Sequence, residues 1–167
     1  MTPSPTWLSE KCLRKIFHLA RLCGGEARVV GGVVRGLYLP HRYPRNSEPP
    51  ITKLDIDVAI SVPITEFAEA ARAHGLAVYE TGLSHGTVTV READSQIEVT
   101  QLRTDHDHDG RHARIKPTTS WQADAERRDF TMNALYMDEA GNLYDPVGGL
   151  ADLKEGRLRF IGDAGKR

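Results

Sequence analysis

The sequence predicts an α+β fold, a short mixed sheet flanked by helices, on three observations. Segments with period-2 apolar alternation and segments with helical apolar spacing follow one another without strict β–α–β alternation. The 167 residues are 40% hydrophobic and 27% charged, enough for one domain with a real core. A buried-strand pattern over Ala27–Val30 runs straight into Gly31-Gly32 and a short helical pattern, so strand and helix meet at a tight corner.

The elements follow in order. Residues 6–22 carry Leu8, Cys12, Ile16 and Ala20 at helical spacing, with Leu13, Phe17 and Leu19 beside them, and Gly24-Gly25 ends the helix. Cys12 and Cys23, eleven residues apart, would be separated by about 16 Å along it, too far for a disulfide. They read as reduced, half-buried thiols. A second helix fits 33–39, and the proline-rich polar stretch 40–50 reads as a loop. The run Lys53-Leu54-Asp55-Ile56-Asp57-Val58-Ala59-Ile60 reads as a strand, and 64–74 as a helix with Ile64, Phe67, Ala68 and Ala71 on one stripe. Val88 and Val90, then Ile97 and Val99, mark two strands, Gly86 opening the first and 92–95 turning between them. Residues 104–116 are very polar and are expected to be mobile. A long helix is expected over 121–137. The tail holds the turn Asp145-Pro146-Val147-Gly148-Gly149, a helical turn over 150–153 and a strand over 158–161.

Charge and hydropathy exclude some classes. The net charge is −1 with seven histidines neutral, so no global basic excess advertises a polyanion partner. Any such contact must come from local arginines or from a part of the molecule outside this chain. No apolar run reaches membrane-span length, and the N-terminus lacks the basic-then-apolar pattern of a signal peptide. The expectation is a cytoplasmic protein with no membrane partner.

Four constellations point to chemistry. In the 53–60 strand, Asp55 and Asp57 share a face, about 6–7 Å apart, where hard divalent cations could bridge them. An exposed strand also carries such pairs for solubility alone. The Gly31-Gly32 corner lets backbone approach a phosphate at a helix N-terminus, with Arg35 placed to fork onto phosphate oxygens. The same residues also suit an ordinary tight turn with a surface arginine. Glu98 stands opposite Ile97 and Val99 in facing and would add a third carboxylate from a neighbouring strand, or simply wet that face. On the expected 121–137 helix, Asp129 and Asn133 share a face at i, i+4, flanked by Arg127 and Arg128.

Taken together, VVGGVVRG, KLDIDVAIS, SHGTVTV, IEVTQLRTD, DAERRDFTMNALYMD and DPVGGLADLKEGRLRFIGD resemble, in order, the motifs of class II tRNA nucleotidyltransferases and bacterial poly(A) polymerases. The resemblance covers the chain from about Ala27 onward. It implies a DNA-polymerase-β-like nucleotidyltransferase head that moves CMP or AMP from CTP or ATP to a tRNA 3′ end, or makes poly(A). It implies Asp55 and Asp57 as holders of Mg²⁺, with Glu98 the further catalytic acid. Gly31, Gly32, Arg35 and Arg128 would contact the nucleotide, supported by Arg127, Asp129 and Asn133. Gly36 stands where the family motif has aspartate, and the linker from Arg35 to Asp55 is longer than the family's. Residues 1–25 would be an N-terminal helix packing on the head, 26–162 the head itself, and 163–167 the start of a neck. Neck, body and tail would then come from beyond this stretch or from a separate chain, without which the head could be inactive. His106, His108 and His112 with Asp107 and Asp109 could bind zinc or nickel adventitiously. By resemblance that stretch is the loop beside the active site that helps switch nucleotide addition.

Overall fold

The computed structural model of the chain describes residues 5–39, 55–106 and 114–162. The expected 40–50 loop, the 163–167 neck start and most of the histidine-rich stretch lie outside them. Helix α1 (Lys11–Leu22) begins later than the apolar spacing suggested. Thr6–Ser9 forms a 3-10 turn, and Glu10 takes an extended backbone from which its carboxylate accepts the Leu13 N–H at 2.9 Å. That cap satisfies a donor the helix start leaves unpaired, so the break is a true N-terminus. Cys23 caps the other end before Gly24 turns the chain at φ 90°. Both thiols are free, Cys12 buried and Cys23 half-buried.

Strand β1 (Ala27–Val30) leads into α2 (Gly32–Tyr38), and β2 (Ile56–Ile60) into α3 (Ile64–Ala73). Then come β3 (Ala77–Gly82), β4 (Thr87–Glu92) and β5 (Ser95–Gln101). One sheet takes the order β3-β4-β5-β2-β1-β8-β9, where β8 is Tyr136–Met137 and β9 Leu143–Tyr144. Its pairings are antiparallel except for β2 with β5, which run parallel with Asp57 facing Glu98 in register. The sheet is mixed, as expected.

Side-chain alternation divides the core between the two faces. Val29, Ile56, Val58, Ile60, Val88, Val90, Ile97 and Val99 pack against α1 and α3 in a large apolar cluster. Val30, Ala59 and Tyr136 point the other way into a smaller cluster with Leu102, Ala125, Ala134 and Ile161. No helix among the described residues is long and apolar enough to cross a membrane.

Three expectations need correction. The 121–137 helix ends early: α4 covers Trp121–Glu126, Phe130 is extended, and Thr131–Asn133 makes a 3-10 turn before β8. Sheet partners claim the backbone there. Thr131 N–H donates to Arg159 O at 3.1 Å, the Ile161 N–H to Asp129 O at 2.9 Å, and β8 pairs with β1. The 158–161 strand shrinks correspondingly to a bridge between Phe160 and Phe130, and α5 (Gly149–Lys154) precedes it. The polar 104–116 stretch is flanked by paired strands, β6 (Arg103–His106) and β7 (Arg114–Pro117). Sequence patterning missed β3 altogether, because this edge strand buries too little to show alternation.

Candidate active site

The corner after β1 works because Gly31 adopts φ 86°, a left-handed backbone closed to most side chains. From there α2 starts, and Arg35, whose N–H donates to Gly31 O at 2.9 Å, projects from its first turn. The Arg35 guanidinium donates through Nη1 to Asn133 Oδ1 at 2.5 Å, and Asn133 Nδ2 donates to Asp129 Oδ1 at 3.3 Å. Three residues expected at the nucleotide are therefore brought together, though by a 3-10 turn and not by a helix face.

Val30, which precedes that corner, pairs across β1 and β2 with Asp57, and Asp57 pairs with Glu98 on its other side. Asp57 is exposed on the open face of β2, yet its carboxyl is pushed up to about 6, first by partial desolvation among its neighbours and then by the charges of Glu98 and Asp55; the Arg128 guanidinium pulls it partly back. Asp57 and Glu98 stand side by side in register on β2 and β5. Asp55 sits just ahead of β2, exposed, and reaches Asp57 through its charge. Among the described residues no three acidic, cysteine or histidine side chains already converge as a metal cluster. The acidic group is a pair with a third carboxylate nearby. Its oxygen donors and excess negative charge fit a hard divalent cation.

Arg127 and Arg128 gather elsewhere, on a residue the sequence reading passed over. Asp124, 1% exposed in α4, accepts from Arg127 Nε at 3.0 Å and from Arg128 Nη2 at 3.1 Å. The Tyr136 hydroxyl donates to it at 2.7 Å, and the Arg103 backbone N–H at 3.2 Å. Burial alone would raise the Asp124 carboxyl, but Arg128, Arg127 and these hydrogen bonds outweigh it and hold it low. The i, i+3 and i, i+4 spacing to the two arginines was the available signal.

The 145–149 turn closes the site's flank. Asp145 accepts the N–H groups of Gly149 at 2.7 Å and Leu150 at 3.0 Å. A Cβ on Gly149 would collide with the Thr131 carbonyl, so this approach of α5 to the 131–133 turn requires glycine. Buried Asp152 joins the two by accepting from Thr131 Oγ1 at 2.6 Å and Arg159 Nε at 2.9 Å.

The mixed sheet flanked by helices is the fold of a DNA-polymerase-β-like nucleotidyltransferase head. Solved structures agree on the fold. The CCA-adding enzyme of Bacillus stearothermophilus in complex with CTP superposes with a TM-score of 0.72 at 32% identity, over 92% of this chain and 33% of that one. A tRNA nucleotidyltransferase complexed with a primer tRNA and an incoming ATP analogue gives 0.64 at 29% identity, over 88% of this chain and 39% of that one. The sequence model of the poly A polymerase head domain matches residues 27–159, and the chain belongs to that family. Among curated relatives, mouse mitochondrial CCA tRNA nucleotidyltransferase 1 is 40% identical over 143 residues, 85% of this chain and 31% of its own length. A CCA-adding enzyme of Listeria monocytogenes is 39% identical over 146 residues, 86% of this chain and 34% of its own. The chain thus spans about a third of the length of the curated relatives it matches.

Proposed function

We propose that this chain is the catalytic head of a template-independent RNA nucleotidyltransferase. It transfers CMP and AMP from CTP and ATP to the 3′ end of tRNA with release of pyrophosphate. The observation carrying the reading is the in-register pairing of Asp57 with Glu98, next to the Gly31 corner and within electrostatic reach of Arg128. Relatives named for CCA addition and a neighbour solved with CTP support the choice of reaction and substrate.

In this reading the RNA 3′-hydroxyl forms its bond to the α-phosphorus as the bond to pyrophosphate oxygen breaks. Asp55 and Asp57 are the carboxylates that would hold Mg²⁺, which when bound supplies a more acidic hydroxyl and a neutralised leaving group. Glu98 adds negative charge that keeps this corner selective for cations. Gly31 and Gly32 let backbone come close to the triphosphate, and Arg35, held by Asn133, forks onto its oxygens. Arg128 stabilises charge developing on the nucleotide, with Arg127 and Asp129 bracing the pocket. Residues 26–162 form the head, 1–25 brace it, and 163–167 lead towards a neck. In this reading, choice of the base and grip on the tRNA belong to a neck, body and tail outside these residues. We assign the protein to the cytoplasm.

The test is transfer of labelled CTP and ATP onto tRNA lacking its 3′ end, with Mg²⁺, followed by product sequencing. Asp55→Ala and Asp57→Ala are expected to abolish transfer with the circular dichroism spectrum unchanged. Near-normal transfer by either variant would overturn the site. Sequenced products separate CCA addition from poly(A) synthesis. Because the chain spans about a third of its relatives, the assay includes an arm supplemented with a polypeptide covering the remainder. Activity only in that arm identifies a complementation-dependent head.

A further inference from the structure

We propose that Asp124 is the positioning residue of the nucleotide site, acting through Arg128 and tying that guanidinium to the root of the β6–β7 hairpin. The inference rests on the assignment of Arg128 to nucleotide contact made above.

Asp124 divides its two oxygens between two structures. Oδ1 accepts from Arg103 N at 3.2 Å and from Arg127 Nε at 3.0 Å. Oδ2 accepts from Arg128 Nη2 at 3.1 Å and from the Tyr136 hydroxyl at 2.7 Å. Each oxygen thus takes two donors, about the capacity of an ionised carboxylate. The Tyr136 hydroxyl also accepts from Arg128 Nε at 3.2 Å, which closes a triangle of Asp124, Tyr136 and Arg128. With Nε and Nη2 both held, the plane of the guanidinium is fixed before any ligand arrives. A planar cation fixed in advance loses less entropy on meeting a phosphate or base.

The Oδ1 side reaches a different element. Arg103 opens β6, the preceding Leu102 N–H donates to Ile60 O at 2.9 Å, and Thr118 N–H donates back to Leu102 O at 2.9 Å. The hairpin root is therefore clamped to the end of β2 and to Asp124 together. Tilting of the root pulls on Oδ1, and the same rigid carboxylate passes that displacement to Arg128 through Oδ2. At 1% exposure, water has no room to substitute for a lost partner. A carboxamide at this position accepts on one side only, so it must abandon either the hairpin or the Arg128 triangle.

The experiment measures CTP and ATP binding to this chain in Mg²⁺ by isothermal titration calorimetry, alongside thermal midpoints. Arg128→Ala tests the underlying reading, and Asp124→Asn the positioning role. Asp124→Asn is expected to raise the nucleotide Kd by about tenfold or more. Placed in the Arg128→Ala background it is expected to change Kd by less than about twofold, while its thermal penalty persists. Tyr136→Phe removes only the hydroxyl that donates to Oδ2 and accepts from Arg128 Nε, and is expected to raise Kd by about threefold, which keeps the test alive if Asp124→Asn does not fold. A purely architectural Asp124 would instead lower affinity equally in both backgrounds, and that result overturns the proposal. So does wild-type affinity in Asp124→Asn or Tyr136→Phe when Arg128→Ala has weakened binding. Unchanged affinity in Arg128→Ala refutes the nucleotide assignment itself.

Discussion

The two faces of the sheet make opposite bargains. On one, α1 and α3 cover Val29, Val58, Ile60, Val88, Val90, Ile97 and Val99 with Leu13, Ile16, Phe17 and Phe67, every one of them at most 2% exposed. On the other, a small apolar cluster gives way to Asp57, Glu98 and the arginines gathered on Asp124. The same strands serve both, residue by residue. Burying apolar area on the helical face contributes most of the stability, which leaves the open face free to hold like charges at close range. The proposed function sits where the fold is least self-consistent.

The comparison can be broken from either side. Phe67→Ala, emptying a fully buried site under α3, is expected to cost about 3–5 kcal/mol in urea unfolding. A cost below about 1 kcal/mol would deny the helical face its stabilising role. Acid sharpens the other face. The Asp124 carboxyl is lowered in the folded chain, so its contribution is complete above the unfolded value of about 4 and is lost as pH falls through the lowered value. Asp124→Asn should therefore be less stable than wild type by about 3 kcal/mol at pH 7, and the gap should close in strong acid. A gap independent of pH would contradict the ion-pair account.

Asp57→Asn should act in the opposite direction. Removing a charge crowded by Glu98 and Asp55 is expected to stabilise the chelator-treated protein by on the order of 1 kcal/mol, given solvent screening. A loss of stability would mean that the carboxylates are not in conflict. The smallest effect is chemical. The Cys12 thiol is pushed up to about 12, by burial first and then by Glu10 and Glu92, whereas half-buried Cys23 is raised less. Native alkylation followed by mass spectrometry should label Cys23 first; equal rates would show the helical face to be open.

How much of this was legible depended on how local the cause was. Ala27–Val30, the Gly31 corner and the β4–β5 hairpin announce themselves because each is governed by near neighbours and one buried face. Phe130 to Met137 did not, since its residues suit a helix until Phe160 and β1 take their hydrogen bonds. The bond from Arg35 to Asn133 bridges residues that only the folded sheet brings together. Asp124 hid in plain view, its spacing to Arg127 and Arg128 being indistinguishable from a solvated helix face until burial is known. Composition cannot reveal which charges lie inside.

The parallel pairing of β2 with β5 has a consequence in time. Asp57 and Glu98 meet only when β2 and β5 zip together, after α3, β3 and β4 have been traversed in between. Closing that crossover costs chain entropy before any local contact rewards it. The hairpin of β4 and β5 has no such delay and is the natural nucleus against which β2 docks. These two carboxylates are then among the last groups to come into register, and a folding intermediate would carry a finished hairpin with Asp57 and Glu98 still apart.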